Sequence, residues 1–79
     1  MKNVTIYSTP TCTYCHQAKD FFREKGVEFN EYDVAADTEK RQEMVEKSGQ
    51  MGVPVIVIGE DMIVGFDRNK VAELLGLEE

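Results

Sequence analysis

The stretch Ser8-Thr9-Pro10-Thr11-Cys12-Thr13-Tyr14-Cys15-His16-Gln17-Ala18-Lys19 holds both cysteines, the single histidine and one of the two prolines of the chain. Ahead of it runs Val4-Thr5-Ile6-Tyr7, β-branched and aromatic, with strand character. After it, apolar residues recur at helical spacing. The cysteine pair therefore sits where a strand turns into a helix. A helix start exposes unpaired N–H groups and the positive end of the helix dipole, and both favour a thiolate over a thiol. Two thiols three residues apart in that setting read as a redox site.

Three other chemistries fit the same residues less well. Closing a loop of four residues with a structural disulfide removes only about 2 kcal/mol of unfolded-chain entropy, against about 5 for a long loop. As a staple the pair is poorly placed. Cys12-Thr13-Tyr14-Cys15-His16 also spells the pattern for covalent haem attachment. That chemistry normally follows export, and no signal sequence precedes it. Zinc wants four ligands, and Cys12, Cys15 and His16 leave a carboxylate or a second chain to find. Dithiol redox chemistry is favoured over all three, because a βαβ-like context is what makes the spacing specific.

Seventy-nine residues make one small domain with one core, spanning 1–79, and 42% hydrophobic content is ordinary for a globular chain. Nine basic against fifteen acidic residues give a net charge of −6, which argues against nucleic acid or an anionic membrane surface as partner. Strand-like sequence begins directly after Met1-Lys2-Asn3, and no apolar run approaches the roughly 20 residues of a membrane span. A soluble, cytoplasmic monomer is expected. In a reducing cytosol a lone cysteine pair is more often transient and catalytic than structural.

Working outward, residues 4–7 are the first strand, and Pro10 ends it because proline cannot donate a ladder hydrogen bond. Along the first helix Cys15, Ala18, Phe21 and Phe22 face inward, while His16, Asp20 and Arg23 share a polar face. Cys15 should be buried and Cys12 exposed. His16 reads as a solvated side chain rather than a catalytic base, which needs hydrogen-bond reach to a proton. Lys25-Gly26 supplies a basic last turn and a stop. Residues 27–34 alternate unevenly and suit a charged edge strand. Asp37 caps a second helix, Thr38–Ser48, ended by Gly49, whose apolar content is little more than Met44 and Val45. Its run Glu39-Lys40-Arg41-Gln42-Glu43 reads as a wet face, with guidance of a partner as the alternative. Val55-Ile56-Val57-Ile58 reads as a strand buried on both faces, the centre of the core, and Gly59-Glu60-Asp61 turns it into Met62-Ile63-Val64. Gly65-Phe66-Asp67 leads into a last helix with Asp67 as N-cap, Val71, Leu74 and Leu75 as apolar stripe and Gly76 as stop. The order strand, helix, strand, helix, two strands, helix predicts an α/β fold, one mixed four-stranded sheet with helices on both faces.

With these elements in place, the chain resembles the glutaredoxin family of the thioredoxin fold from end to end. Cys12-Thr13-Tyr14-Cys15 is similar to the family's Cys-Pro-Tyr-Cys, Gly49-Gln50-Met51-Gly52-Val53-Pro54 resembles its Gly-Gln-Arg-Thr-Val-Pro, and Val64-Gly65-Phe66-Asp67 resembles its Gly-Gly-x-Asp. The likeness is strongest to short bacterial and archaeal glutaredoxin-like redoxins, some of which are reduced by a flavoprotein instead of glutathione. The resemblance implies a thioredoxin-like fold, a four-stranded mixed sheet flanked by three helices, and a thiol–disulfide oxidoreductase, an electron carrier in cell redox homeostasis. Cys12 and Cys15 would be the catalytic pair, joined in a redox-active disulfide when oxidised, with no bound cofactor and with glutathione as a candidate co-substrate. Electrons would come from a flavoprotein reductase of the thioredoxin type or from glutathione. They would pass to disulfide-containing proteins such as ribonucleotide reductase or peroxidases.

The resemblance further implies that Val53-Pro54 is a cis peptide whose Val53 backbone pairs with an extended substrate, and that Tyr14 and Phe66 supply apolar contact at the site rim. Asp67 and the N–H groups behind Gly65 would hold the γ-glutamyl end of glutathione. From the residues alone Pro54 reads as trans, and Asp67 is equally well a plain helix cap. Where the family commonly places cations for glutathione's glycine carboxylate, this chain has Thr9 and Met51, so that half of the tripeptide site is weakened. Two rival readings stand beside the oxidoreductase. One is a glutathione-dependent iron–sulfur cluster-binding glutaredoxin dimer, and the other a redox-inactive interaction module.

Overall fold

The β-branched run Val55–Ile58 forms a strand inside the sheet, as its continuous apolar character requires, in the computed structural model, which describes residues 3–50 and 52–76. The elements in chain order are β1 (Val4–Ser8), α1 (Thr13–Glu24), β2 (Asn30–Asp33), α2 (Thr38–Ser48), β3 (Val55–Ile58), β4 (Asp61–Val64) and α3 (Arg68–Leu75). The strands lie in the order β2-β1-β3-β4. β1 runs parallel to β2 and antiparallel to β3, and β4 closes an antiparallel hairpin with β3.

Side-chain alternation along β1 and β3 splits the interior into two cores. Ile6, Ile56 and Ile58 pack with Ala18 and Phe22 of α1 and Val71 of α3 on one face. Tyr7 and Val55 pack with Val34 and with Met44 of α2 on the other. Met44 is the buried residue of α2, so the expectation of a lightly packed, solvated helix holds. A charge cluster supplements that packing. The Tyr7 hydroxyl donates to Glu43 Oε1 at 2.7 Å, Lys40 and Lys47 approach the same carboxylate at 3.2 and 3.4 Å, and Lys40 Nζ lies 4.3 Å from the centre of the Tyr32 ring. The Tyr7 hydroxyl and then Lys40 bring the Glu43 carboxyl down to about 2. Burial, then the bond to Glu43, pushes the Tyr7 hydroxyl up to about 12.

Two boundaries differ from the expected ones. β2 covers only Asn30–Asp33, because its ladder opposes only Thr5 to Ser8 of β1. Val27 instead closes the end of α1 through its N–H to the Phe22 carbonyl at 2.8 Å, and Val27 and Phe29 pack against the core. β4 begins at Asp61, which pairs with Ile58, so the loop is the two residues Gly59-Glu60. Gly59 stands at φ 61°, the left-handed region that a two-residue loop with glycine in first place requires. No helix among the described residues is long and apolar enough to cross a membrane.

Candidate active site

Register alone brings the chemistry-bearing segments to one end of the sheet. β1 ends at Ser8, and the chain then runs through Thr9, Pro10 and Thr11 to Cys12. Val55 at the start of β3 lies opposite Tyr7, so Val53 and Pro54 fall beside that same link. Val64 at the end of β4 lies opposite Val55, and the Gly65 N–H donates to the Pro54 carbonyl at 2.8 Å. Gly65, Phe66 and Asp67 are thereby drawn to the same end. Gly65 takes φ 87°, a conformation that side chains with a Cβ rarely adopt.

Cys12 is itself the N-cap of α1. Its extended backbone turns Sγ back over the first turn, where it accepts the Cys15 N–H at 3.2 Å. The Cys12 N–H donates to the Thr9 carbonyl at 3.3 Å, and its own carbonyl accepts the His16 N–H at 3.2 Å. This capping geometry leaves Cys12 half-buried rather than fully open, while Cys15 is 0% exposed. Both are free thiols. Burial first, and then the hydrogen bond with the Cys12 sulfur, pushes the Cys15 thiol up to about 12. A backbone bond to Thr9 and the charge of Lys19 pull it the other way.

The remaining expected residues are unequal in their surroundings. Tyr14 is 62% exposed in the first turn of α1, Val53 is half-buried and Pro54 buried, and the peptide between Val53 and Pro54 is cis. Phe66 is half-buried and packs on Phe21, with ring centres 5.8 Å apart, so it belongs to the core margin as well as the rim. Asp67 caps α3, its Oδ1 accepting the Lys70 N–H at 3.1 Å. Met51 lies outside the described residues. His16 is exposed yet not merely solvated. Its Nε2 sits 2.8 Å from the Pro10 carbonyl, which can only accept, so the ring donates and braces the turn before Cys12.

The sequence reading missed Lys19. It is buried on the inner face of α1, and its Nζ lies 2.6 Å from Glu31 Oε2 on β2. The Ser8 hydroxyl donates to that same oxygen at 3.1 Å. The lysine's hydrogen bond is the main reason the Glu31 carboxyl sits below its ordinary range. A signal was present, since Lys19 stands one helical turn after Cys15 on the inward stripe. Among the described residues no group of three or more His, Cys, Asp or Glu is placed to hold a metal ion. A concavity of about 1300 Å³ lies at the other end of the sheet, between Val4, Val27, Phe29 and Leu75, and neither cysteine borders it.

The glutaredoxin family model matches residues 4–63. The chain is 42% identical over 72 residues to a glutaredoxin-like 8.6 kDa protein in the rubredoxin operon of Clostridium pasteurianum, covering 91% of this chain and 96% of that one. It is 45% identical over 67 residues to glutaredoxin 3 of Escherichia coli K12, covering 85% and 81%. It is similar to the crystal structure of a thioredoxin-like protein with a TM-score of 0.91 at 29% identity, over 99% of this chain and 100% of that one. With the family model spanning both cysteines, the cis-proline and most of β4, the chain belongs to the glutaredoxin family and has a thioredoxin-like fold.

Proposed function

We propose that this protein reduces protein disulfides through the Cys12–Cys15 dithiol, with Cys12 as nucleophile and Cys15 as the resolving thiol. Family membership points to thiol–disulfide oxidoreductase chemistry in general. The observation that carries the finer reading is the unequal placement of the two sulfurs. Cys12 is accessible at a helix start with an N–H aimed at its sulfur, whereas Cys15 is buried one turn behind it. The Cys12 thiolate attacks a substrate disulfide, forms the mixed disulfide and releases one substrate thiolate. Cys15 then attacks Cys12, the Cys12–substrate bond breaks, and the second substrate sulfur leaves with the electron pair. The protein ends as the Cys12–Cys15 disulfide, and a donor must return two electrons. The dithiol carries those electrons itself, so the reaction needs no resident cofactor.

In this reading the Val53 backbone beside Pro54 pairs with an extended substrate segment, and Tyr14 and Phe66 offer apolar contact. Gly65 and Asp67 receive the amine and carboxylate of a γ-glutamyl group. Neutral Thr9 favours a flavoprotein reductase of the thioredoxin type over glutathione as donor, since nothing cationic stands there for the tripeptide's other carboxylate. The working form is a monomer in the reducing cytoplasm, with disulfide-containing enzymes such as ribonucleotide reductase or peroxidases as substrates.

The test is trapping. Cys12→Ser should abolish disulfide reduction, and Cys15→Ser should accumulate a mixed disulfide on Cys12 visible by mass spectrometry. Equal loss from both substitutions with no trapped adduct removes the assignment. Assaying the parent protein with glutathione and its reductase against a flavoprotein thioredoxin reductase identifies the donor.

A further inference from the structure

A lysine is seldom buried unless it is paired, and in the Lys19–Glu31 pair the lysine alone is buried, the Glu31 side chain being 38% exposed. Lys19 breaks an inner stripe of α1 that is otherwise Cys15, Ala18, Phe21 and Phe22. It is held there by a carboxylate on another element, steadied in turn by the Ser8 hydroxyl. Residues one turn apart on a helix face are neighbours, with Cβ atoms about 5–6 Å apart, and the neighbour of Lys19 in the N-terminal direction is Cys15. Both are buried, so little water screens the ammonium from the sulfur.

The geometry points to Lys19 as a positioning residue for the resolving step, its ammonium held by Glu31, which Ser8 steadies in turn, so that Cys15 can lose its proton when Cys12 carries a mixed disulfide. This inference rests on the assignment of Cys12 as nucleophile and Cys15 as resolver. While Cys12 is free, its neighbouring sulfur favours the protonated Cys15 thiol and disfavours a second negative charge beside it, and both effects hold the Cys15 proton in place. Once Cys12 is bonded to substrate, those two effects are gone. Burial then still opposes ionisation, and the Thr9 backbone and Lys19 still favour it. In the step itself the Cys15 S–H proton goes to solvent, and the thiolate's electron pair forms the Cys15–Cys12 bond. The Cys12–substrate bond breaks, and the departing substrate thiolate takes up a proton.

Charged groups on the neighbouring elements are engaged elsewhere, Arg68 of α3 lying over the Phe21 ring at 5.1 Å. Arg23, further along α1, pairs with Asp20 on the exposed face, although its charge still reaches Glu31. Asp33 of β2 accepts the Ala35 and Ala36 N–H groups, and Asp67 of α3 accepts that of Lys70. His16 is turned to Pro10. Glu43, Lys40 and Lys47 form their cluster with Tyr7, on the α2 face of the sheet. The core that α1, β3, β4 and α3 share around Ala18 is apolar.

The experiment uses the full chain and a chromogenic aromatic disulfide, whose two thiolates are released in succession, the first by Cys12 and the second by Cys15. Lys19→Met, Lys19→Arg and Glu31→Gln are compared across neutral and alkaline pH. The expected result for Lys19→Met is an unchanged first phase and a second phase slowed about tenfold at neutral pH, the size expected when one nearby buried charge is removed. Its pH profile moves to higher pH. Lys19→Arg restores the parent profile, and Glu31→Gln, which leaves the ammonium less neutralised, moves it to lower pH. Shifts of Lys19→Met and Glu31→Gln in the same direction, or no shift in either, overturn the inference and leave the pair a structural one. A parent protein with no second phase overturns the dithiol assignment itself, and this inference with it.

Discussion

Asp67 can be a helix cap, a ligand for an ammonium group, or both, and replacing it by alanine and by asparagine separates the roles. Its Oδ1 accepts the Lys70 N–H at 3.1 Å, at the start of a helix of only eight residues. Removing an N-cap side chain costs about 1 kcal/mol, whereas asparagine caps about as well as aspartate. In a domain of this size 1 kcal/mol lowers Tm by about 4–8 °C. Asp67→Ala should therefore melt lower by that amount, and Asp67→Asn close to the parent. Asparagine also forgoes the charge–dipole attraction at the helix start, so melting is followed at high ionic strength, where that attraction is screened. Kinetics then report the second role. An exposed charge pair contributes up to about 1 kcal/mol, so Asp67→Asn should raise KM for a glutathionylated substrate by up to about fivefold. If Asp67→Asn retains both the parent Tm and the parent KM, the carboxylate is only a cap and its ligand role is refuted. If Asp67→Ala melts with the parent, the capping argument fails.

Met44→Ala should cost about 2–5 kcal/mol, since Met44 is 0% exposed and is the buried anchor of α2. Urea unfolding checks this, and a loss below about 1 kcal/mol would mean that the Tyr7–Glu43 cluster holds the helix by itself. Because the folded Glu43 carboxyl sits at about 2, below its unfolded value, the stabilisation it gives is present above the ordinary carboxylate range and is lost as pH falls through about 2. Tyr7, raised to about 12, gives stabilisation present below the ordinary tyrosine value and lost as pH rises through about 12. Tyr7→Phe should flatten both limbs of a stability–pH curve, and unchanged limbs would refute the coupling. Thr9→Lys combined with Met51→Arg should raise glutathione-dependent turnover while leaving the flavoprotein route little changed; equal glutathione turnover in parent and variant would refute the weakened-site argument.

The capping signals were legible because they act within one turn. Asp37 and Asp67 each accept an N–H three residues on, and Gly49 and Gly76 each end their helix in the left-handed region. The inward turn of Cys15 followed from helical period, and the buried character of β3 from its run of β-branched residues. Resemblance to a family, not the residues themselves, raised the cis form of Val53–Pro54, which the structure has. Outside the reach of any local pattern lay the antiparallel pairing of β1 with β3, the shortness of β2, the bond from His16 to Pro10, and the link from Tyr7 to Glu43 across 36 positions. Lys19 shows the limit most clearly. Its place on the inward stripe could be read from period, but its partner Glu31 stands on another element, and nothing in the spacing of α1 says which strand lies beneath it. By itself the sequence determined the order, ends and inward faces of the elements, because propensity, period and capping are properties of a few successive residues. Only the tertiary structure decided which side chains meet between elements, because those contacts exist only once β1, β2 and α1 have docked.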